Sequence, residues 1–135
     1  MFPDVLVDLM VKMAKGVEAL HTHTEGSQSV PIIHRDIKFD NFLMNIDRDL
    51  NNPLLAVINV KLADLGHSKR LNNMNQLFSQ ATGTTGYKSP EQLIFENSNC
   101  TPATDIWSLG LTFCYIFTGR FPTDWEINEV LDNKI

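Results

Sequence analysis

His34-Arg35-Asp36-Ile37-Lys38-Phe39-Asp40-Asn41 is the stretch that decides how this chain is read. It sets a carboxylate, an ammonium and a carboxamide close together, each suited to a different task. A carboxylate such as Asp36 beside an acceptor hydroxyl orients it and takes its proton. An ammonium such as Lys38 stabilises negative charge that builds up nearby in a reaction, and the side-chain oxygen of Asn41 suits a hard cation. An isolated D-x-K would be read more simply as a solvated loop. Here the chain continues with Val60-Lys61-Leu62-Ala63-Asp64-Leu65-Gly66 and then Gly83-Thr84-Thr85-Gly86-Tyr87-Lys88-Ser89-Pro90-Glu91, and Asp64 adds a second carboxylate of the kind that binds magnesium.

Taken in order, H-R-D-x-K-x-x-N, D-L-G and G-T through S-P-E resemble the C-terminal lobe of a eukaryotic-type protein kinase, of the serine/threonine class. The resemblance runs from the helix before the catalytic loop to the start of the helix after the central buried one, residues 1–135. It implies a mainly α fold, α+β overall, helical with a short two-stranded β-hairpin. It implies ATP and Mg2+ as cofactors and a protein Ser/Thr hydroxyl as acceptor. Asp36, Lys38 and Thr84 are the catalytic residues on this reading, Thr84 bonding Asp36 and Lys38 in an arrangement that tyrosine kinases lack. Lys38, Asn41, Leu43 and Asp64 hold the nucleotide, and Asn41 and Asp64 hold the metal.

Other positions follow from the same resemblance. Arg35 and Lys69 fall where kinases receive a phosphate on the 64–91 loop, with Ser79 and Thr82 the nearest hydroxyls to carry it, placed there by an upstream kinase or by autophosphorylation. His34, Glu91 and Asp105 are structural: His34 packs in the catalytic loop, and Asp105 accepts bonds from that loop's backbone. Glu91 is expected to be unpaired. Leu65 replaces the usual Phe of D-F-G and is expected to pack as an apolar plug behind Asp64, while Gly66 supplies hinge freedom.

No G-x-G-x-x-G followed by V-A-I-K occurs. The chain therefore reads as part of a kinase without its N-lobe, expected to bind ATP weakly, to transfer phosphate negligibly and to expose apolar surface. The alternative is a non-catalytic kinase-like interaction or regulatory module.

Composition sets the outer limits. With 135 residues, 43% hydrophobic and 20% charged, the chain suits one ordinary globular domain. Net charge is −5, and the basic residues are scattered, which argues against a nucleic-acid surface. The apolar run 106–119 is too short to span a bilayer and is expected to be a buried core helix. There is no signal-peptide pattern. Cys100 and Cys114 form no C-x-x-C, and Cys114 is expected to be a buried free thiol, compatible with an intracellular, cytoplasmic setting. His21-Thr22-His23 invites a zinc reading, but no ligand set of known spacing accompanies it.

Local patterns complete the expectation. Leu6, Leu9, Met10, Met13, Val17 and Leu20 make one apolar stripe on a helix over 3–21. Residues 22–30 read as a loop, 42–46 and 57–62 as strands, 47–53 as the turn between them, and 72–76 as the start of a mobile polar loop. A short helix is expected over 90–95. Thr101 and Pro102 open a long helix carrying Ile106, Leu109, Phe113 and Phe117, and Thr123 with Glu126 forms a capping box for the last one.

Overall fold

The computed structural model describes residues 2–52, 56–71, 83–94 and 100–133. The first helix, α1 (Phe2–His21), carries the six-residue stripe inward: Leu9, Met13 and Val17 are buried and Leu6, Met10 and Leu20 half-buried. Burying each such side chain contributes about 1.5–3 kcal/mol, and that packing holds the helix in place.

The chain then forms a hairpin of two-residue strands, β1 (Thr24–Glu25) and β2 (Gln28–Ser29), where a plain loop is expected. The signal was Gly26-Ser27 between two short polar runs. Gly26 takes φ +63°, which a two-residue hairpin turn requires of one of its central residues. β3 (Ile32–Ile33) pairs antiparallel with β6 (Lys69–Arg70). Between them β4 (Phe42–Arg48) and β5 (Ala56–Leu62) form the longest ladder, from Phe42↔Leu62 to Arg48↔Ala56. Asp47 and Arg48 thus extend the strand instead of opening the turn, because ladder bonds come from the backbone and need no apolar side chain. Sheet pairing is confined, among the described residues, to these three two-stranded sheets.

α2 (Pro90–Ile94) is short. α3 (Pro102–Thr118) starts at Thr101, which accepts from Ala103 N–H while its own N–H donates to Thr104. α3 ends at Gly119 in the left-handed region, φ 73°. α4 (Asp124–Asp132) has the expected capping box: Thr123 accepts from Glu126 N–H, and Glu126 accepts from Thr123 N–H at 2.7 Å.

The main core joins Leu9, Met13 and Val17 of α1 to Ile37, Phe42, Ile58 and Leu109, so α1, the β4–β5 hairpin and α3 close over the 34–41 segment. α3 departs from the expected buried helix. Ile106 and Phe117 are 54% and 55% exposed, and the face turned inward is Thr104, Asp105, Ser108, Leu109, Leu111 and Thr112. That face meets polar backbone as well as hydrocarbon, so hydroxyls and a carboxylate serve there. Cys114, expected to be buried, is exposed, and Cys100 is a buried thiol. Apolar surface is open to solvent at Leu43, Leu50, Ile106, Phe117 and Val130, and a cavity of about 860 Å³ lies between α3 and α4. No helix among the described residues is long and apolar enough to cross a membrane.

Candidate active site

The 34–41 segment is held from three sides. At its start, the Asp105 carboxylate in the first turn of α3 accepts from His34 N–H and Arg35 N–H, both at 2.9 Å. Arg35 takes φ 69°, a conformation that is uncommon outside glycine and is sustained here by those bonds. His34 is fully buried. Its Nδ1 accepts from Asp36 N–H at 3.2 Å, so Nε2 carries the proton and donates to Ala63 O at 2.9 Å. One imidazole thus ties the 34–41 segment to the residue before Asp64.

Asp36 is 6% exposed. Thr84 Oγ1 donates to Asp36 Oδ1 at 2.7 Å and accepts from Lys38 Nζ at 3.0 Å, while Lys38 Nζ lies 3.9 Å from Asp36 Oδ2. These are the two partners that the sequence resemblance gave Thr84. Gly83 makes the approach possible: with φ +104°, a Cβ there would stand 3.0 Å from Arg35 O, so a larger residue would push Thr84 away from the pair.

Asn41 is buried and turns its amide nitrogen toward Asp36, to the backbone oxygen at 2.8 Å and Oδ2 at 3.4 Å. That commits the nitrogen and leaves the carboxamide oxygen as the donor for a cation. Ala63 N–H bonds Asn41 O at 2.8 Å, placing Asp64 beside this loop. Asp64 is exposed, with φ 58°. A carboxylate and a neutral oxygen are the kinds of ligand that suit a hard ion which also takes oxygen from a bound phosphate. Among the described residues no group of three His, Cys, Asp or Glu side chains gathers as a metal cluster. Of the His21-Thr22-His23 pair, His21 Nε2 meets Asp105 Oδ2 at 2.8 Å, while His23 Nε2 lies 3.5 Å from Glu25.

Several expectations are corrected. Leu65 is 55% exposed in a single 3₁₀ turn, Leu65–His67, so it is no buried plug, and the residue in the left-handed region beside it is Asp64. Turned outward by that backbone, a Leu gains no cover from the core. Glu91 is paired, accepting from Thr104 Oγ1 at 2.9 Å, because the α3 N-terminus comes within reach of α2.

Arg35 Nε donates to His67 O at 2.7 Å. Burial lowers the Arg35 pKa from its ordinary value, opposed by the nearby Cys100 and Asp105. Lys69 is exposed and pairs through its backbone with Ile33; neighbouring Arg70 meets Glu25 of the β1–β2 hairpin at 3.0 Å, so the basic pair is not merely solvated. Ser79, Thr82 and the 72–76 run lie outside the described residues. Leu43 stands at the open face of β4, 61% exposed. Ser108, which sequence reasoning passed over, donates to Tyr87 O at 2.7 Å and so fixes the 83–89 segment that carries Thr84.

The family model described as a protein kinase domain matches residues 2–134. The chain belongs to the protein kinase domain family. It is 32% identical over 130 residues to cyclin-dependent kinase 7 of Dictyostelium discoideum, covering 95% of this chain and 31% of that protein. It is 34% identical to mitogen-activated protein kinase kinase kinase 12 of Rattus norvegicus over 120 residues, covering 89% of this chain and 11% of that one. The human mitogen-activated protein kinase kinase kinase 5 is also 34% identical, over 118 residues, with 87% of this chain and 7% of that protein covered. The chain thus spans under a third of the length of these kinases. Within the kinase family's motif order, Asp36, Lys38, Asn41, Asp64 and Thr84 are the positions whose geometry is described above.

Proposed function

We propose that this chain is the C-terminal lobe portion of a serine/threonine protein kinase, residues 1–135 being a partial domain of an enzyme that as a whole transfers the γ-phosphate of ATP to a protein Ser or Thr hydroxyl. The observation that carries this reading is the Thr84 hydroxyl, bonded at once to the Asp36 carboxylate and the Lys38 ammonium. Asp36 orients the acceptor hydroxyl and accepts its proton late in a loose transition state. Lys38 brings positive charge toward the transferred group, and Thr84 keeps both side chains aimed at one point. Asn41 and Asp64 would hold Mg2+, which when bound neutralises phosphate charge; Lys38 and Leu43 would contact the nucleotide. Phosphorylation at Ser79 or Thr82, read by Arg35 and Lys69, would regulate the site, and an intracellular, cytoplasmic setting suits a free exposed thiol.

Lacking a Gly-rich lid motif, the 135 residues by themselves should transfer phosphate negligibly, since positioning dominates this chemistry. Phosphoamino-acid analysis of the products made by the protein that carries this chain tests the reading. Phosphoserine or phosphothreonine is expected; predominant phosphotyrosine overturns it.

A further inference from the structure

The β1–β2 hairpin has two residues in each strand, and none of the four is buried. A hairpin of that size draws nothing from the core and is marginal on its own. It is tied down at its base and at its outer side. At the base, Val30 N–H donates to His23 O at 2.9 Å, and the Val30 side chain is buried. On the outer side Glu25 of β1 reaches across to Arg70 of β6, with Oε1 3.0 Å from Nε, and the His23 imidazole shares the same oxygen at 3.5 Å. β6 is as slight as the hairpin. Its ladder to β3 is two residue pairs, Ile32↔Arg70 and Ile33↔Lys69, prolonged by Leu71 N–H donating to Pro31 O at 2.7 Å. Leu71 then packs with Ile33 and Cys100 in a small cluster of their own.

We propose that the β1–β2 hairpin is an electrostatic strap over residues 64–71, with Glu25 gripping Arg70 and so setting how often β6 lifts from β3. Two ladders, each too short to be stable alone, are joined through one carboxylate–guanidinium pair. Val30 to Ile33 run directly from β2 into β3, so the same stretch of chain carries the strap and the strand that β6 leans on. The near end of the 64–71 segment is fastened independently, by Ala63 N–H to Asn41 O at 2.8 Å and by Arg35 Nε to His67 O at 2.7 Å. Its far end has the two-residue ladder, Leu71 and the strap. The Glu25 and Arg70 side chains are 42% and 65% exposed, so their attraction is modest and salt screens it. Such a pair makes a catch that opens readily and recloses. Opening it frees the far end of the segment that begins at Asp64, and the strap acts on that backbone whatever Asp64 does in phosphotransfer.

Hydrogen exchange of the 135-residue chain at one fixed pH reads the catch through the Leu71 amide, whose N–H is released when β6 lifts from β3. At about 0.01 M salt, where charges are felt over about 30 Å, Glu25→Gln should lower the protection of Leu71 about two- to fivefold. Glu25→Arg, which sets two cations face to face, should lower it further. Exchanging the pair, Glu25→Arg together with Arg70→Glu, should bring protection back near the parent's. At about 1 M salt, with a screening length of about 3 Å, the parent and Glu25→Gln should converge. The Ala63 amide, on the other side of Asp64, should keep its protection throughout.

Unchanged protection of Leu71 in Glu25→Arg at low salt overturns the strap. So does an exchanged pair no better protected than Glu25→Arg alone, since only a direct pairing is restored by swapping its charges. A Glu25→Gln difference that persists at high salt, or a loss at Ala63 equal to that at Leu71, also overturns it, the first marking a non-electrostatic role for the side chain and the second a general loss of stability.

Discussion

α1 and α3 both turn one face into the same core, yet they bury opposite chemistry. α1 buries Leu9, Met13 and Val17, while α3 buries Thr104, Asp105, Ser108 and Thr112 alongside Leu109 and Leu111. Hydrocarbon packing is non-directional and gains in proportion to area. Hydrogen bonds from a buried carboxylate or hydroxyl fix distance and angle, and gain little net stability. α1 is therefore the helix whose packing chiefly stabilises the domain, and α3 is the helix that sets where the backbone of the 34–41 segment lies.

The largest effect expected from this division is on the loop that α3 holds. Asp36→Asn should lower turnover about 10²- to 10⁴-fold with nucleotide affinity and melting temperature nearly unchanged. Asp64→Ala should weaken magnesium–nucleotide binding and activity together. Thr84→Ala should follow Asp36→Asn in kind, turnover falling more than affinity. Steady-state kinetics with direct nucleotide titration separates the two patterns, and an Asp36→Asn protein with full turnover would break the comparison at its centre.

Next in size comes α1. Met13, fully buried in the main core, should cost about 2–5 kcal/mol when truncated to Ala. Urea denaturation would show the loss, and the fraction that remains folded should bind nucleotide as before.

A smaller effect is expected at the β4–β5 connection, whose described residues 49–52 are exposed. Deleting residues 49–53 should leave the fold intact and change stability by about 1 kcal/mol or less, since closure entropy depends weakly on loop length. Unfolding of the deletion variant would show that the strand register is wrong.

The smallest effect should come from acid titration of the α4 cap. Arg120 and the Thr123 cap hold the Glu126 carboxyl at about 2, below the ordinary 4.5. A depressed carboxylate contributes fully above its unfolded value and loses that contribution as pH falls through the folded one. Helicity measured by circular dichroism should thus soften at α4 between about pH 4.5 and about pH 2, and Glu126→Gln should remove that step. Both side chains are solvent-facing, so the change should be slight.

How much of this was legible in the sequence depends on whether the information was local. The caps at Thr101 and Thr123 and the α1 stripe were readable because they involve residues three or four apart. The convergence of Asp36, Lys38 and Thr84 was readable only through the kinase motif order, since Thr84 is distant in sequence. The polar face of α3 was hidden because periodicity arguments count hydrocarbon; of the stripe Ile106, Leu109, Phe113 and Phe117, Leu109 is buried and Phe113 packs against the core, while Ile106 and Phe117 face outward. Leu65 and Cys114 were misplaced for the same reason: apolar character says what a side chain prefers, not whether cover is available. Glu91 found Thr104 because helix α3 begins close by, a fact no local pattern contains.

The two tryptophans of the chain sit in unlike surroundings on neighbouring helices. Trp107 on α3 is half-buried, its indole N–H shielded from solvent and without an acceptor among the described residues, whereas Trp125 on α4 is 68% exposed. Their emission should therefore carry two addresses. A soluble quencher should reach Trp125 first and leave a bluer residual signal from Trp107. With either residue replaced by Phe, fluorescence becomes a site-resolved gauge of whether α4 releases before α3 gives way.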